Sequence, residues 1–153
     1  MQDFDTVEKV LDFAISEEEK ARQFYTELAE QAKNPAMKNA MLEFASEEAK
    51  HKSKLESVKA GKLQFTSEKG KSLPNLRIAD YTVQGEPSPV MTYQESLILA
   101  MKKEKAAYRL YLDLASVAQS EQLTETFLSL AAEEAKHKLR FEIEYDDVIL
   151  KEN

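Results

Sequence analysis

At 153 residues the chain is about the size of one compact domain, long enough to bury a real core. Only three glycines and four prolines stand among many Ala, Leu, Glu and Lys residues, a composition that favours helix over a β-sandwich or barrel. A net charge of −7 argues against nucleic acid or anionic lipid as the main partner, and the absence of cysteine removes disulfides, cysteine nucleophiles, thiolate zinc sites and iron–sulfur ligation.

The chain starts Met-Gln-Asp-Phe-Asp-Thr, acidic and with no apolar run behind it, so neither a signal peptide nor a membrane span is expected and the cytoplasm is the default address. Hydrophobic periodicity predicts helices over 4–33, 36–60, 92–119 and 121–147. Asn34-Pro35 stops the first helix and starts the second, because proline disfavours helix in the residue before it and suits a first turn. Gly61 closes the second helix, and Thr92 with Glu95 three residues on forms a capping box that opens the third. The stretch from 62 to 91 holds Pro74, Pro87, Pro89, Gly70 and Gly85 and is a connection. Its length exceeds what two adjacent antiparallel helices need, so helices two and three are expected to run parallel, joined by a crossover. A flexible linker between two domains is the alternative. Apolar Leu73, Leu76, Ile78, Tyr81 and Val83 favour a segment packed onto one bundle, with residues 1–153 as a single domain.

The string Glu-Glu-Ala-Lys-His-Lys occurs at 47–52 and again at 133–138, and the two copies hold both histidines. The same offset of 86 carries Thr6 to Thr92, Leu11 to Leu97, Ala14 to Ala100, Glu18 to Glu104, Tyr25 to Tyr111, Leu28 to Leu114 and Leu42 to Leu128. A gapless repeat of this kind is how a duplicated helical hairpin looks in sequence, and it predicts a four-helix bundle with approximate twofold symmetry.

Spacing then gives direction. Alternate steps of three and four trace an apolar seam in the first helix through Phe4, Val7, Leu11, Ala14, Glu18, Ala21, Tyr25, Leu28 and Ala32, and in the third through Tyr93, Leu97, Ala100, Glu104, Ala107, Tyr111, Leu114 and Ala118. The second helix gives Met37, Met41, Phe44, Glu48, His51, Leu55 and Val58, and the fourth gives Leu123, Phe127, Leu130, Glu134, His137 and Phe141. Every seam carries a glutamate at its middle. Glu47, Glu133, Lys50, Lys136, Lys52 and Lys138 fall off the seams and are read as solvated, and so are Glu17 and Glu19 beside Glu18. Met37 and Met41 are read as core.

Four carboxylates converging inside a bundle repel one another, and a buried unpaired carboxylate tends to take up a proton. Two divalent cations offset the charge. Glutamate and histidine three apart on a helix differ by about 300° of rotation and about 4.5 Å of rise, so both reach one ion. Glu18 to Glu48 and Glu104 to Glu134 are both 30 residues, which sets each lone glutamate level with a Glu-x-x-His partner across its hairpin. Oxygen-rich ligation with one imidazole per ion suits iron(II) or manganese(II) better than structural zinc.

Two Glu-x-x-His motifs, each preceded at the same interval by a seam glutamate and a tyrosine one heptad after it, resemble the ferritin-like di-iron carboxylate proteins and among them the rubrerythrin group. The resemblance runs through both hairpins and implies an all-α, ferritin-like four-helix bundle with a long crossover between helices two and three. It implies two iron ions, with manganese as the alternative, Glu18 and Glu104 as terminal ligands, Glu48 and Glu134 as bridging carboxylates, and His51 and His137 as one nitrogen ligand each. Tyr25 and Tyr111 would donate to carboxylates across the bundle; core aromatics with satisfied hydroxyls are the plainer reading. Full-length rubrerythrins carry a further carboxylate one turn after the third-helix glutamate, where this chain has Ala107, and a rubredoxin module, for which these residues hold no cysteines.

The resemblance thus implies a di-iron redox protein of oxidative-stress type that reacts with hydrogen peroxide or dioxygen, as a peroxidase or ferroxidase. Electrons for turnover would come from a separate rubredoxin-like donor, and a homodimer or other small homo-oligomer is expected. An iron-binding and storage protein without sustained catalysis is a second reading, and a metal-free structural helical module a third.

Overall fold

The computed structural model describes residues 7–61, 81–83, 87 and 91–152, with side chains described from residue 8 to residue 150. Four helices make up nearly all of it: α1 Val7–Gln31, α2 Pro35–Ala60, α3 Tyr93–Val117 and α4 Glu121–Glu152. Their starts are chemically marked. Asn34 caps α2 through a side-chain oxygen that accepts from the Ala36 amide at 2.9 Å, with Pro35 in the first turn where its missing N–H costs nothing. At α3 the Thr92 hydroxyl accepts from the Glu95 amide at 3.1 Å while the Glu95 carboxylate accepts from the Thr92 amide at 2.8 Å, the expected capping box. At α4 the Ser120 hydroxyl accepts from the Leu123 amide at 3.0 Å, a cap without the reciprocal bond. Gly61 ends α2 as expected, its amide donating to the Ser57 carbonyl at 3.0 Å. The last helix runs five residues past the expected 147, because Val148, Ile149 and Leu150 continue with no glycine or proline to stop them. Residues 4–6 of the expected first helix lie outside the described residues.

Helix α1 packs chiefly on α2, and α3 on α4, as two hairpins. Pairings across the molecule fix the relative directions. In α1 and α2, Asp12 meets Lys59 and Glu19 meets Lys52, so the two run antiparallel. Between α1 and α3, Glu18 meets Tyr111 and Tyr25 meets Glu104, again antiparallel. Helices α2 and α3 are therefore parallel, as the sequence led one to expect, so the end of α2 and the start of α3 lie at opposite ends of the bundle. Of the apolar residues in that connection, Tyr81 is buried in the core and Val83 packs against it, which agrees with a segment laid on the bundle. Leu73, Leu76 and Ile78 lie outside the described residues.

The core has two apolar ends. One gathers Leu11, Leu55, Leu114, Phe127 and Leu130 from all four helices; the other gathers Leu28, Met37, Met41, Leu97 and Phe141, again from all four. Each large side chain buried in this way contributes about 1.5–3 kcal/mol. Met37 and Met41 are fully buried there as part of the core. Between the two ends lies a polar layer made of Glu18, Glu48, Glu104, Glu134, His51 and His137, none more than 4% exposed. The apolar ends hold this layer out of water from both sides. Among the described residues no helix is long and apolar enough to cross a membrane.

Candidate metal centre

The helical steps that predicted the seam glutamates place all four of them, and both histidines, in one cluster. Two donor sets emerge, Glu18, Glu48, His51 and Glu134, and Glu48, Glu104, Glu134 and His137, each with one atom per residue lying within 4.8 Å of the others. Glu48 and Glu134 belong to both. His51 Nδ1 stands 3.2 Å from Glu48 Oε1 and 3.5 Å from both Glu18 Oε2 and Glu134 Oε1. His137 Nδ1 stands 2.8 Å from Glu104 Oε2, 3.5 Å from Glu134 Oε1 and 3.6 Å from Glu48 Oε1. The two imidazoles lie almost parallel, their centroids 6.3 Å apart.

Satisfaction of these groups is incomplete in a patterned way. Glu18 Oε1, both oxygens of Glu48, Glu104 Oε2, Glu134 Oε1, and Nδ1 of His51 and His137 are buried and make no hydrogen bond of acceptable geometry, the 2.8 Å approach of His137 to Glu104 included. Buried polar atoms are rarely left so, since each costs roughly 1–3 kcal/mol. All seven belong to the six clustered side chains, and all are oxygen or imidazole nitrogen. That donor set fits hard to borderline divalent cations. The residues present therefore fit a pair of ions.

The two tyrosines account for the remaining oxygens of the lone glutamates. Tyr25 donates its hydroxyl to Glu104 Oε1 at 2.8 Å, and Tyr111 donates to Glu18 Oε2 across the bundle. Each of these glutamates thus has one oxygen held by a phenol and one buried without a partner. Burial first, and then the surrounding carboxylates, push both phenols well above the ordinary tyrosine value, so both keep their protons and remain donors. Tyr25 and Tyr111 are also packed against Phe141 and Phe127 respectively, which restricts the rings.

Burial and mutual repulsion shift the titration of the cluster. Burial, followed by Glu18 and Glu104, drives Glu48 well above the usual carboxylate range; burial and the other three carboxylates do the same to Glu134. Burial also raises Glu104, against the opposing pull of His137 and Tyr25. At His51 burial disfavours the charged ring, but Glu18, Glu134 and Glu133 outweigh it and push the imidazole up to about 10. His137 is raised on the same balance, chiefly through Glu104 and Glu47. Protons fill the place of positive charge.

One expectation is corrected. Glu47 and Glu133, read from their positions off the seam as solvated, reach across the bundle to the outer nitrogens of the opposite histidines: His137 Nε2 to Glu47 Oε1 is 2.7 Å and His51 Nε2 to Glu133 Oε1 is 3.1 Å. A position one residue before a seam glutamate lies about 100° round the helix, which is the rim of the interior and not the outer face. Lys50 and Lys136 are exposed as expected, while Lys52 and Lys138 are half-buried in pairs with Glu19 and Glu142. Glu17 pairs with Lys20, and Glu19 with Arg22 and Lys52, both outside the cluster. A further buried carboxylate, Glu144, accepts from the Tyr93 hydroxyl at 2.8 Å. Continuing the α4 seam one step past Phe141 would have found it.

Beside the cluster a cavity of about 30 Å³ is lined by Glu18, Glu48, Glu104, Glu134, Tyr111 and Ala107, with Tyr81 and Val83 of the crossover at its edge. It has room for a water or two, or a molecule of that size.

The family model for rubrerythrin matches residues 9–72 and 95–153, most of both hairpins. The chain belongs to the rubrerythrin family. Among solved structures, a hypothetical protein from Pyrococcus furiosus superposes with a TM-score of 0.71 at 28% identity, covering 92% of this chain and 89% of that one. A Thermotoga maritima protein provisionally described as ferritin-like and diiron-carboxylate superposes with a TM-score of 0.78 at 22% identity, covering 97% of this chain and 99% of that one, and supports the fold. A search of curated proteins returned no match.

Proposed function

We propose that this rubrerythrin-family chain is a di-iron redox protein that reacts with hydrogen peroxide or dioxygen. The observation that carries the reading is the set of seven unsatisfied buried atoms on four glutamates and two histidines, because two cations bound among them would supply partners and offset the carboxylate charge together. In this reading Glu18 and His51 hold one iron, Glu104 and His137 hold the other, and Glu48 and Glu134 are shared between them. When bound, two iron(II) ions supply the two electrons that, with two protons, take hydrogen peroxide to two waters.

The chain's own residues do the rest. Tyr25 and Tyr111 leave Glu104 and Glu18 one free oxygen each, which fixes where each carboxylate meets its ion. The apolar ends keep bulk water from the polar layer, so charges there are screened less than at the surface. The small cavity beside the cluster has room for an oxidant of two heavy atoms. Ala107 lines this cavity with a methyl group and supplies no additional carboxylate, so the ligand set is the symmetric one of the two hairpins. Electrons for repeated turnover come from a separate donor, a rubredoxin-like protein in the simplest case, with the chain acting as a small homo-oligomer.

Anaerobic loading with iron(II) followed by peroxide or dioxygen tests the proposal. A near-ultraviolet absorption change should accompany oxidation, and sustained peroxide consumption should require an added reductant. Peroxide that disappears steadily with no reductant would instead identify disproportionation and favour manganese. Iron that binds but is not oxidised by either reagent would leave a binding protein and sink the redox reading.

A further inference from the structure

Both copies of the repeated string begin with a pair of glutamates, and only the second of each pair enters the cluster. The first of each pair makes the reciprocal contact described above: Glu47 on α2 meets His137 on α4, and Glu133 on α4 meets His51 on α2. These two contacts are related by the pseudo-twofold of the bundle, and α2 and α4 otherwise touch sparingly. Two isolated surface ion pairs would have no reason to recur in this way.

The chemistry of the contact is directional. A carboxylate can only accept, so the imidazole nitrogen facing it carries the hydrogen. A neutral imidazole has one hydrogen, and placing it on Nε2 leaves the lone pair on Nδ1. In both rings Nδ1 is the buried, unsatisfied atom turned towards Glu48 and Glu134. His137 is further held by Phe44, which stacks on it with centroids 4.1 Å apart.

We propose that Glu47 and Glu133 are positioning residues, each fixing the tautomer and orientation of the histidine on the opposite helix so that its Nδ1 is presented to a metal ion. The inference rests on the metal reading above and adds to it a crosswise pairing. It explains why both strings read Glu-Glu and not only x-Glu: the second glutamate is a ligand, and the first makes the other half-site's histidine a ligand. Because Glu47 and Glu133 keep 28% and 39% of their side chains exposed, they can be replaced without opening the core.

The test uses the full chain, anaerobic iron(II) titration, and nitrogen NMR of histidine-labelled protein loaded with zinc(II) as a diamagnetic probe. Glu47→Ala and Glu133→Ala should each weaken iron(II) binding at one of the two sites by roughly 10- to 100-fold. Glu47→Gln and Glu133→Gln, whose side-chain oxygen still accepts, should recover most of the loss. In the zinc-loaded protein Glu47→Ala should move the Nε2 resonance of His137 and leave that of His51 in place, with the reverse for Glu133→Ala. Glu43→Ala, an exposed change on α2, should do neither. Wild-type iron uptake with unchanged affinity in both alanine variants overturns this inference alone, as does a glutamine variant no better than alanine, or a resonance change at the histidine of the same helix. Failure of the wild-type chain to take up iron overturns the metal reading and this inference with it.

Discussion

Replacing Tyr111 with phenylalanine removes one oxygen atom and almost nothing else. The ring keeps its place in the core and its stacking on Phe127, whose centroid lies 6.3 Å away, so the change isolates the hydrogen bond to Glu18. Tyr111 is 1% exposed and Glu18 is 2% exposed, so bulk water does not replace the phenol as donor. Glu18 Oε1 already lacks a partner, and the substitution would leave Oε2 without one too. A hydrogen bond to a charged group contributes about 1.5–3 kcal/mol. For a chain of this length each kcal/mol shifts the melting temperature by about 2–4 °C, so metal-free Tyr111→Phe should melt roughly 3–12 °C below the metal-free parent. Thermal melts and urea titrations of both proteins, prepared free of metal at neutral pH, measure the difference. Repeating the change in a Glu18→Gln background, where the acceptor is neutral, should reduce the cost to about 0.5–1.5 kcal/mol. A Tyr111→Phe protein as stable as its parent, or a cost that is the same against glutamate and glutamine, would refute the assignment of a charge-assisted donor.

The metal-free protein should lose stability as pH rises. His51 titrates at about 10 when folded and near 6.5 when unfolded, so its contribution is complete below pH 6.5 and disappears as pH climbs to about 10. Glu48, Glu104 and Glu134 are raised as well and carry the same sign from above 4.5 upward. Iron would displace those protons, so iron(II) affinity should rise over the same window; melts at several pH values should show a fall above pH 6.5 without iron and little change with it, and parallel slopes would contradict this. Ala107→Leu adds three carbons beside a cavity of about 30 Å³ and should slow reaction with peroxide while leaving iron content unchanged, as stopped-flow absorbance would show. Equal rates would mean that the oxidant arrives elsewhere.

The six clustered side chains were legible in the sequence because helix periodicity decides what faces inward, and a glutamate in an apolar seam has nowhere else to go. The duplication gave a second, independent copy of each position, and Glu18 was separable from Glu17 and Glu19 because only it has an acidic partner 86 residues on. Hairpin pairing followed from the 30-residue interval. The contacts of Glu47 and Glu133 were not legible, since they depend on how α2 is rotated against α4, and those helices are not neighbours in the chain. A seam sorts residues into inside and outside, and has no category for a rim position whose long side chain reaches over the edge. The donors Tyr25 and Tyr111 stood between the two cases: their burial followed from the seam, while the choice of Glu104 and Glu18 as acceptors needed the antiparallel crossing of α1 and α3. Among the described residues of the 62–91 connection, the contact of Tyr81 with the bundle was legible from its large apolar ring, while the bond from its hydroxyl to Asp113 at 2.6 Å was not.

The central claim is that two donor sets sharing Glu48 and Glu134 hold two ions, and its most direct test is the metal content of the chain. Protein purified without added metal, loaded anaerobically with iron(II), freed of excess and analysed for iron should contain two ions per chain, one for each donor set. Glu48→Ala and Glu134→Ala should each fall to one or none, because each substitution removes a member of both sets. Iron near zero in the wild-type chain, or a full complement in either variant, would contradict the account.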